Sequence, residues 1–139
     1  MANYVGGDKW VPVTMQVTST ANLCAKSLVT FAGAVPANAA NSVLGVVASD
    51  TKSGDYATVK TAPCIVEVIA TGTVTLGAYV EVLTASIYGD IDGTSTAITA
   101  AGVQDQADGY SIGKAYTAGS ANDTVLIALM DCQAANACV

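Results

Sequence analysis

The 139-residue chain contains no histidine and no arginine, and only 12% of its residues are charged. Histidine is the commonest general base and the commonest metal ligand, so its absence removes most catalytic and metal-binding templates. The remaining ionisable groups suited to catalysis are few: two glutamates, Glu67 and Glu81, and nine aspartates that mostly stand in turn-like contexts. The sequence therefore predicts a protein that is not an enzyme and that uses no cofactor and no metal ion.

Positive charge is scarce as well. Five lysines stand against eleven acidic residues, which gives a net charge of −6 and an isoelectric point near 4.1. Nucleic-acid binding requires clustered lysine and arginine side chains that neutralise phosphates, whereas these lysines are scattered. Without arginine the chain also lacks the bidentate donor that clamps carboxylates and phosphates. We therefore expect no nucleic-acid partner.

Long apolar segments are missing, although 52% of the residues are hydrophobic and the mean hydropathy is +0.48. The charge-free run from Ser27 to Ser49 is interrupted by Pro36, Asn38 and Asn41, so it lacks the roughly 18 consecutive apolar residues of a membrane span. Residues 1–8 lack the basic and apolar regions of a signal peptide. We expect a soluble protein made in the cytoplasm, with no membrane partner, whose weakly polar surface is partly covered by other subunits.

Alternation of apolar and polar residues is the dominant pattern. Val11, Val13, Met15 and Val17 would share one face of a strand, and Pro12, which has no N–H group, places that strand at a sheet edge or in an extended arm. Seven further β-type runs follow it: Leu28–Phe31, Val43–Ala48, Tyr56–Lys60, Ile65–Ala70, Tyr79–Leu83, Ile112–Tyr116 and Thr124–Met130.

Glycine-containing turn signals separate these runs. Gly45, Gly54, Gly77 and Gly113 are interpreted as structural turn glycines, and Gly113 would in addition allow close packing at the start of a strand. Short strands punctuated in this way predict a mainly β fold, a small antiparallel β-sandwich or barrel of β-tulip-like form.

Three segments are predicted along the chain. Residues 1–17 form an extended N-terminal arm and edge strand, residues 18–130 form the β-sandwich or barrel domain, and residues 131–139 form a short C-terminal tail. The polar, glycine-bearing start of the arm is typical of a segment that becomes ordered on contact with a partner.

At most one or two short helices are expected. Thr94–Asp105, which is rich in alanine, is predicted as one short helix, although Gly102 weakens it. Ala34–Asn41 is predicted to make a turn of helix after Pro36.

The four cysteines, Cys24, Cys64, Cys132 and Cys138, fit neither a C-x-x-C motif nor the spacing of a zinc finger. Free or buried thiols are the preferred interpretation, because the chain shows no export signal. If a disulfide forms, a link between Cys132 and Cys138, which would close a small loop in the tail, is the expected one.

Three short motifs have both a functional and a structural interpretation. Asp90–Gly93 matches the start of a calcium loop, but Thr99 stands where that loop needs a glutamate, and a turn between two strands explains it as well. Gly109–Lys114 resembles a phosphate loop but has Ala115 where a Ser or Thr would bind magnesium, so a strand start is preferred. Asn122–Thr124 has the form of a glycosylation site and is interpreted as a turn.

Aromatic residues are few and ungrouped, so a stacking platform for sugars or bases is not expected. Phe31 is predicted to lie in the core. Only Tyr4 and Trp10 are close in sequence, and a tryptophan on an extended arm is well suited to anchor that arm in a partner's pocket. We therefore predict an interface for a partner protein or a neighbouring subunit at Tyr4, Lys9, Trp10 and Pro12, where the edge strand adds to a neighbouring sheet.

Six motifs follow one another in a fixed order: Leu44–Asp50, Ser53–Lys60, Ile65–Val68, Thr75–Val82, Ser111–Tyr116 and Thr124–Leu129. This series of glycines and valine pairs resembles the family of small capsid decoration, or cement, proteins of tailed bacteriophages, and more loosely the lambda-type head decoration proteins. The resemblance covers about residues 9–130. Ala78 stands where the family usually has an acidic residue, and the segment between Val82 and Ile112 is longer than the family pattern.

The resemblance implies a β-rich domain that binds the exterior of an expanded icosahedral head and stabilises contacts between subunits of the major capsid protein, commonly as a homotrimer. The expected partners are the major capsid protein and further copies of the chain, and the expected location is the outer capsid surface of the virion. No catalytic residues are implied. The alternative is another β-rich structural or adhesion module of a virion or surface, such as a tail, fibre or surface-layer component.

Overall fold

The structure, a computed structural model, describes residues 13–40, 42–90, 95–107 and 109–134. This part of the chain contains nine strands and no helix, which confirms the mainly β prediction. The strands are β1 (Val13–Thr18), β2 (Leu28–Thr30), β3 (Val43–Val47), β4 (Tyr56–Thr61), β5 (Cys64–Ile69), β6 (Tyr79–Asp90), β7 (Ser95–Asp105), β8 (Ser111–Ala115) and β9 (Thr124–Ala134).

The strands form two antiparallel sheets and not a closed barrel, so the fold is a small β-sandwich. The four-stranded sheet has the order β1-β4-β3-β2, and the five-stranded sheet has the order β5-β9-β8-β6-β7. Only Ala62 and Pro63, joined by a cis peptide bond, separate β4 from β5. The chain therefore passes from one sheet to the other through a very short connection.

The predicted helix over Thr94–Asp105 is wrong, because Ser95–Asp105 is strand β7. It pairs with β6 along its whole length, from Val80 opposite Asp105 to Asp90 opposite Ser95. Burial of Ala101 and Val103 against the rest of the sandwich outweighs the helix propensity of the alanines.

The predicted turn of helix after Pro36 is also wrong for the described residues of that segment. Ala39 donates its N–H to the carbonyl of Val82 at 2.8 Å, and the side chain of Asn38 accepts hydrogen bonds from the N–H (2.6 Å) and the hydroxyl (2.7 Å) of Thr84. These bonds hold the segment in a non-helical turn along β6.

The C-terminal tail begins later than predicted. Strand β9 continues through residue 131 to Ala134, where it pairs with Ser111 of β8 after a register shift between Ser111 and Gly113. Residues 135–139 lie outside the described residues.

Buried side chains form two hydrophobic cores. The inter-sheet core lies between the two sheets and consists of Leu28, Val43, Val46, Val66, Val68, Ala70, Val74, Val80, Val82, Ala101, Val103, Ile112, Ala115, Val125, Ile127 and Leu129. The loop-covered core consists of Leu23, Val29, Leu44, Val47, Ala57 and Val59.

The loop-covered core lies on the opposite face of the four-stranded sheet. Neighbouring residues of a strand point to opposite faces, and Val46 belongs to the inter-sheet core whereas Val47 belongs to the loop-covered core. Leu23, from the segment between β1 and β2, and the partly buried Val35 cover this second core. All five positions of β3 are buried as a result.

Phe31 was predicted to lie in the core and is instead 67% exposed. Strand β2 ends at Thr30, and the chain then turns so that Thr30 donates its N–H to the carbonyl of Ala34 at 2.9 Å. Leu28 and Val29 fill the core positions of this short strand, and Phe31 lies in the turn beyond them.

Candidate interaction surfaces

All four residues of the predicted interface, Tyr4, Lys9, Trp10 and Pro12, lie outside the described residues. The same is true of Cys138, and with it of the predicted disulfide; the backbone of its partner Cys132 lies in β9.

Strand β1 lies at the edge of the four-stranded sheet and pairs only with β4 among the described strands. Ser19, the residue after β1, donates its N–H to the carbonyl of Asp55 at 2.9 Å. Because alternate residues of an edge strand bond to its partner strand, the odd-numbered residues of β1 direct their N–H and C=O groups to β4. Thr14 and Gln16 direct theirs to the open edge. Between them Met15 is 50% exposed.

Large apolar side chains lie on the outer face of the five-stranded sheet. Ile65 is 54% exposed, Tyr116 is 52% exposed and Leu126 is 37% exposed. Tyr116 donates its N–H to the carbonyl of Leu126 at 2.8 Å, so these two residues are neighbours across the strands. The face thus presents apolar side chains where polar ones are usual for a solvated antiparallel sheet.

Two lysines border this apolar group. The Nζ of Lys114 lies 5.4 Å from the centre of the Tyr79 ring, and Lys114 and Tyr79 are paired across β8 and β6. At the other side the Nζ of Lys26 lies 4.0 Å from the Oε2 of Glu67 and 3.4 Å from the hydroxyl of Thr124. Exposed ion pairs of this kind add little stability, so these charges mainly affect which partner can approach.

The buried carboxylate of Glu81 holds a loop in place. It is 2% exposed and accepts hydrogen bonds from the Nε2 of Gln104 (3.1 Å) and from the N–H groups of Ala107 (3.2 Å) and Gly109 (2.7 Å). Gly109 is required because a Cβ there would clash with Ala39 and with this carboxylate. These contacts give Glu81 a structural role, which sequence reasoning had not found.

Aspartates in turn-like positions also accept backbone hydrogen bonds. Asp50 accepts the N–H of Ala25 at 2.8 Å, and Asp105 accepts the N–H and the hydroxyl of Thr75 at 2.7 and 2.6 Å. Within the described ranges no group of three or more His, Cys, Asp or Glu side chains is placed to hold a metal ion.

The three ambiguous motifs lie as follows. Residues 91–94, which include most of the calcium-like motif, are outside the described residues, although β6 and β7 flank them as antiparallel partners. Ser111–Ala115 is strand β8, which confirms the strand interpretation of the phosphate-loop-like motif. Asn122, with a φ of 75°, lies in a turn before β9, which confirms the turn interpretation there.

Cys24 and Cys64 are free thiols, as preferred from the sequence. Burial raises the pKa of the Cys24 thiol, and the nearby charge of Asp50 raises it further. Burial also raises the pKa of Cys64, while the positive charge of Lys60 acts in the opposite direction. Both thiols therefore hold their protons more firmly than a free cysteine and are poor nucleophiles at neutral pH.

Two of the four predicted turn glycines lie in turns: Gly54 and Gly77 have φ values of 93° and 81°. Gly45 and Gly113 instead lie inside strands β3 and β8. Gly113 is needed for close approach, because a Cβ there would lie 2.5 Å from the carbonyl oxygen of Ala128.

No protein-family model matches the chain, and no curated protein matches its sequence. No helix among the described residues is long and apolar enough to cross a membrane.

The apolar outer face of the five-stranded sheet was missed at the sequence level. Cys64–Ile69 is almost uninterruptedly apolar, so its pattern did not reveal that Ile65 faces outward while Val66 is buried. The edge position of β1 agrees with the prediction made from Pro12. Within the strand, Val13–Thr18 contains no charge, proline or glycine, and charges and prolines are what usually block an open edge.

Proposed function

We propose that the chain is a capsid decoration protein that binds the exterior of an expanded phage head and stabilises contacts between subunits of the major capsid protein. The observation that carries the proposal is the order of the six family-like motifs along one sandwich. Each motif overlaps a different strand, for example Ser53–Lys60 on β4 and Thr75–Val82 on β6.

The outer face of the five-stranded sheet supports a role in binding a large surface. Ile65, Tyr116 and Leu126 present exposed apolar area, and Lys26, Glu67 and Lys114 supply the few charges around it. Interfaces between subunits typically combine an apolar centre with a polar rim. Since decoration proteins bind in many copies, modest affinity at each site is sufficient when several contacts act together.

The N-terminal segment supports the same role. Tyr4, Lys9, Trp10 and Pro12 precede β1, which is an edge strand of its sheet. An arm ahead of an edge strand can reach a neighbouring subunit and contribute main-chain hydrogen bonds of its own together with an aromatic anchor. We propose that this arm docks on the major capsid protein, and that three copies assemble around a capsid site.

The β6–β7 hairpin accounts for the extra length of this chain relative to the family pattern. Only Tyr79 and Val80 of β6 pair with β8, whereas β6 and β7 pair with each other as far as Asp90 and Ser95. The residues of this hairpin beyond Val82 therefore lie between two of the motifs and leave the order of the motifs unchanged.

The alternative function is that of a tail, fibre or surface-layer module. It is favoured by the same β-sandwich and the same exposed apolar face, which suit any assembled β-rich structure. The two functions differ in where the protein is found, and this difference can be measured directly.

Labelling of virus particles tests the proposal. Particles purified from the source of the chain would be labelled with a gold-tagged antibody raised against the purified protein and imaged by electron microscopy. Gold on the heads is the expected result. Gold on tails or fibres, on cell surfaces, or on no particle would overturn the proposal, and the first two would favour the alternative.

Truncation then tests the arm. A chain lacking residues 1–12 keeps β1, whereas a matched control lacks residues 135–139. Binding to heads stripped of the protein would be measured by co-sedimentation. We expect the first truncation to lower occupancy and the control to bind normally, and full occupancy of both would contradict the role of the arm.

A further inference from the structure

The open edge at β1 is one of several sheet edges, and the β5 and β7 edges are each blocked over part of their length. At the β5 edge the N–H of Ile69 donates to the carbonyl of Lys26 at 3.0 Å, and Glu67 places a charge there. At the β7 edge Thr71 donates its N–H to the carbonyl of Val103 at 3.0 Å. The hydroxyl of Ser27 lies 3.3 Å from both the backbone nitrogen and the carbonyl oxygen of Ala101. Strand β2 has three residues.

Beyond Ala101, the outer part of β7 has no neighbour on its free side among the described strands, and β6 pairs with β8 only at Tyr79 and Val80. Among the side chains that the structure describes in these two stretches, the exposed ones are Ser86, Ala97 and Thr99, which are small. Strand β1 differs because its edge carries Met15, a large apolar side chain that is half exposed. On the same side of the strand Val17 packs against the loop-covered core, so Met15 lies at the rim of that core.

We propose that β1 pairs with β1 of a second copy of this chain, antiparallel, about a two-fold axis that passes beside Met15. This contact does not depend on the proposed capsid function. It would join two four-stranded sheets into one continuous eight-stranded sheet across two molecules.

Hydrogen-bonding geometry selects this register. The N–H and C=O groups that face the open edge belong to Thr14 and Gln16. A two-fold axis beside Met15 places Thr14 of each copy opposite Gln16 of the other, which gives two equivalent residue pairs. Each of these residue pairs exchanges two N–H to C=O bonds. Toward the end of β1 the carbonyl of Thr18 lies against Gly33, so a register shifted in that direction is blocked.

Side-chain chemistry favours a second copy as the partner. Val13–Thr18 is uncharged, so two such edges meet without the repulsion expected between molecules that each carry a net charge of −6. In the proposed register the two Met15 residues form the central pair that is not hydrogen-bonded, with Cα atoms about 4.5 Å apart. The two Met15 side chains then pack against each other. Each also lies beside Val17 of its own molecule and so adds to the rim of the loop-covered core.

Association measurements with charge variants test the contact. Sedimentation equilibrium would be recorded from micromolar to near-millimolar protein for the wild type, for Met15→Lys and for the control Leu76→Lys. Both substitutions place lysine at an exposed apolar position. We expect a concentration-dependent dimer that Met15→Lys weakens by about tenfold or more and Leu76→Lys leaves unchanged.

Cysteine crosslinking tests the register and does not require Met15→Lys to fold. Under mild oxidation Met15→Cys is expected to form an intermolecular disulfide, identified by mass spectrometry of the linked peptide. Gln16→Cys is the matched control, because the two Gln16 Cα atoms would be about 7–8 Å apart, beyond the reach of an unstrained bridge. Met15→Cys should crosslink about ten times faster or more.

Three results would overturn the proposal. The first is a wild-type monomer at all concentrations, and the second is a dimer that Met15→Lys does not weaken. The third is crosslinking of Gln16→Cys that is as fast as that of Met15→Cys. If Met15→Lys lowers binding to heads and leaves self-association unchanged, the partner of this edge is a capsid subunit; self-pairing then fails while the proposed function stands.

Discussion

The inter-sheet core and the loop-covered core are made of the same kinds of side chain but are closed in different ways. Regular strands lie on both sides of the inter-sheet core. A sheet lies on only one side of the loop-covered core. Its other side is formed by Leu23 from the segment between β1 and β2, together with Val35, which also packs against the inter-sheet core. Loop segments relax more easily than paired strands, so equal substitutions should affect the two cores unequally.

The largest expected effect is that of Leu129→Ala in the inter-sheet core. Leu129 is 2% exposed and lies in β9, which pairs with both β5 and β8. Neighbouring strands cannot move in to fill the cavity, so we expect a loss of about 4 kcal/mol in the free energy of unfolding. Urea denaturation followed by circular dichroism measures it.

Leu23→Ala is the matched substitution in the loop-covered core. Leu23 is 1% exposed, so the same atoms are removed from an equally buried position. Because its segment can collapse onto the sheet, we expect a smaller loss of about 2–3 kcal/mol, measured in the same denaturation experiment. A loss equal to or larger than that of Leu129→Ala would contradict the difference between the two cores.

Ser19→Ala tests what holds the covering segment in place. The buried hydroxyl of Ser19 donates to the carbonyl of Lys52 at 2.6 Å and lies 3.0 Å from that of Asp55. Its removal deletes both hydroxyl contacts, while the two carbonyls keep the N–H donors of Asp55 and Ser19, so we expect a loss of about 1 kcal/mol. Thr20→Val, which removes a longer bond of 3.3 Å to Gly33 at an exposed residue, is the control and should change the unfolding free energy less.

The smallest expected effect is on the alkylation rate of the two described thiols, Cys24 and Cys64, and does not involve the free energy of unfolding. Because burial raises the pKa of Cys24 and Cys64, a smaller fraction of each is thiolate at pH 7 than in a free cysteine. Alkylation by iodoacetamide, mapped by mass spectrometry, should be slower than for a cysteine peptide and should speed up as the pH rises.

In the Leu23→Ala variant Cys24 should react faster, because its segment opens more often, while Cys64 should not change. Equal acceleration of both thiols would show that the two cores open together.

Much of the fold could be predicted from local sequence patterns. Alternation and turn glycines indicated the strands, and the antiparallel sandwich followed from their short spacing. The segment Ser95–Asp105 could not be assigned in this way, because its alanines favour a helix and only pairing with β6 makes it a strand. Phe31 was misplaced for a related reason, since the end of β2 at Thr30 depends on a hydrogen bond to Ala34.

The candidate surfaces were harder to predict than the fold. Whether Ile65 or Val66 faces outward depends on which face of β5 meets the other sheet, and both residues are equally apolar. The open groups of Thr14 and Gln16 follow from the ladder between β1 and β4, which the sequence of β1 alone does not contain.

The orientation of β1 also has a mechanical consequence. The ladder between β1 and β4 spans six residue pairs, from Val13 opposite Thr61 to Thr18 opposite Tyr56. A tensile load applied at Val13 along the strand axis is shared in shear by all the hydrogen bonds of the ladder, which lie across the direction of pull. A load perpendicular to the strand would peel the same bonds one after another. An arm drawn outward in line with β1 would therefore transmit tension to the sandwich with the greatest resistance to rupture.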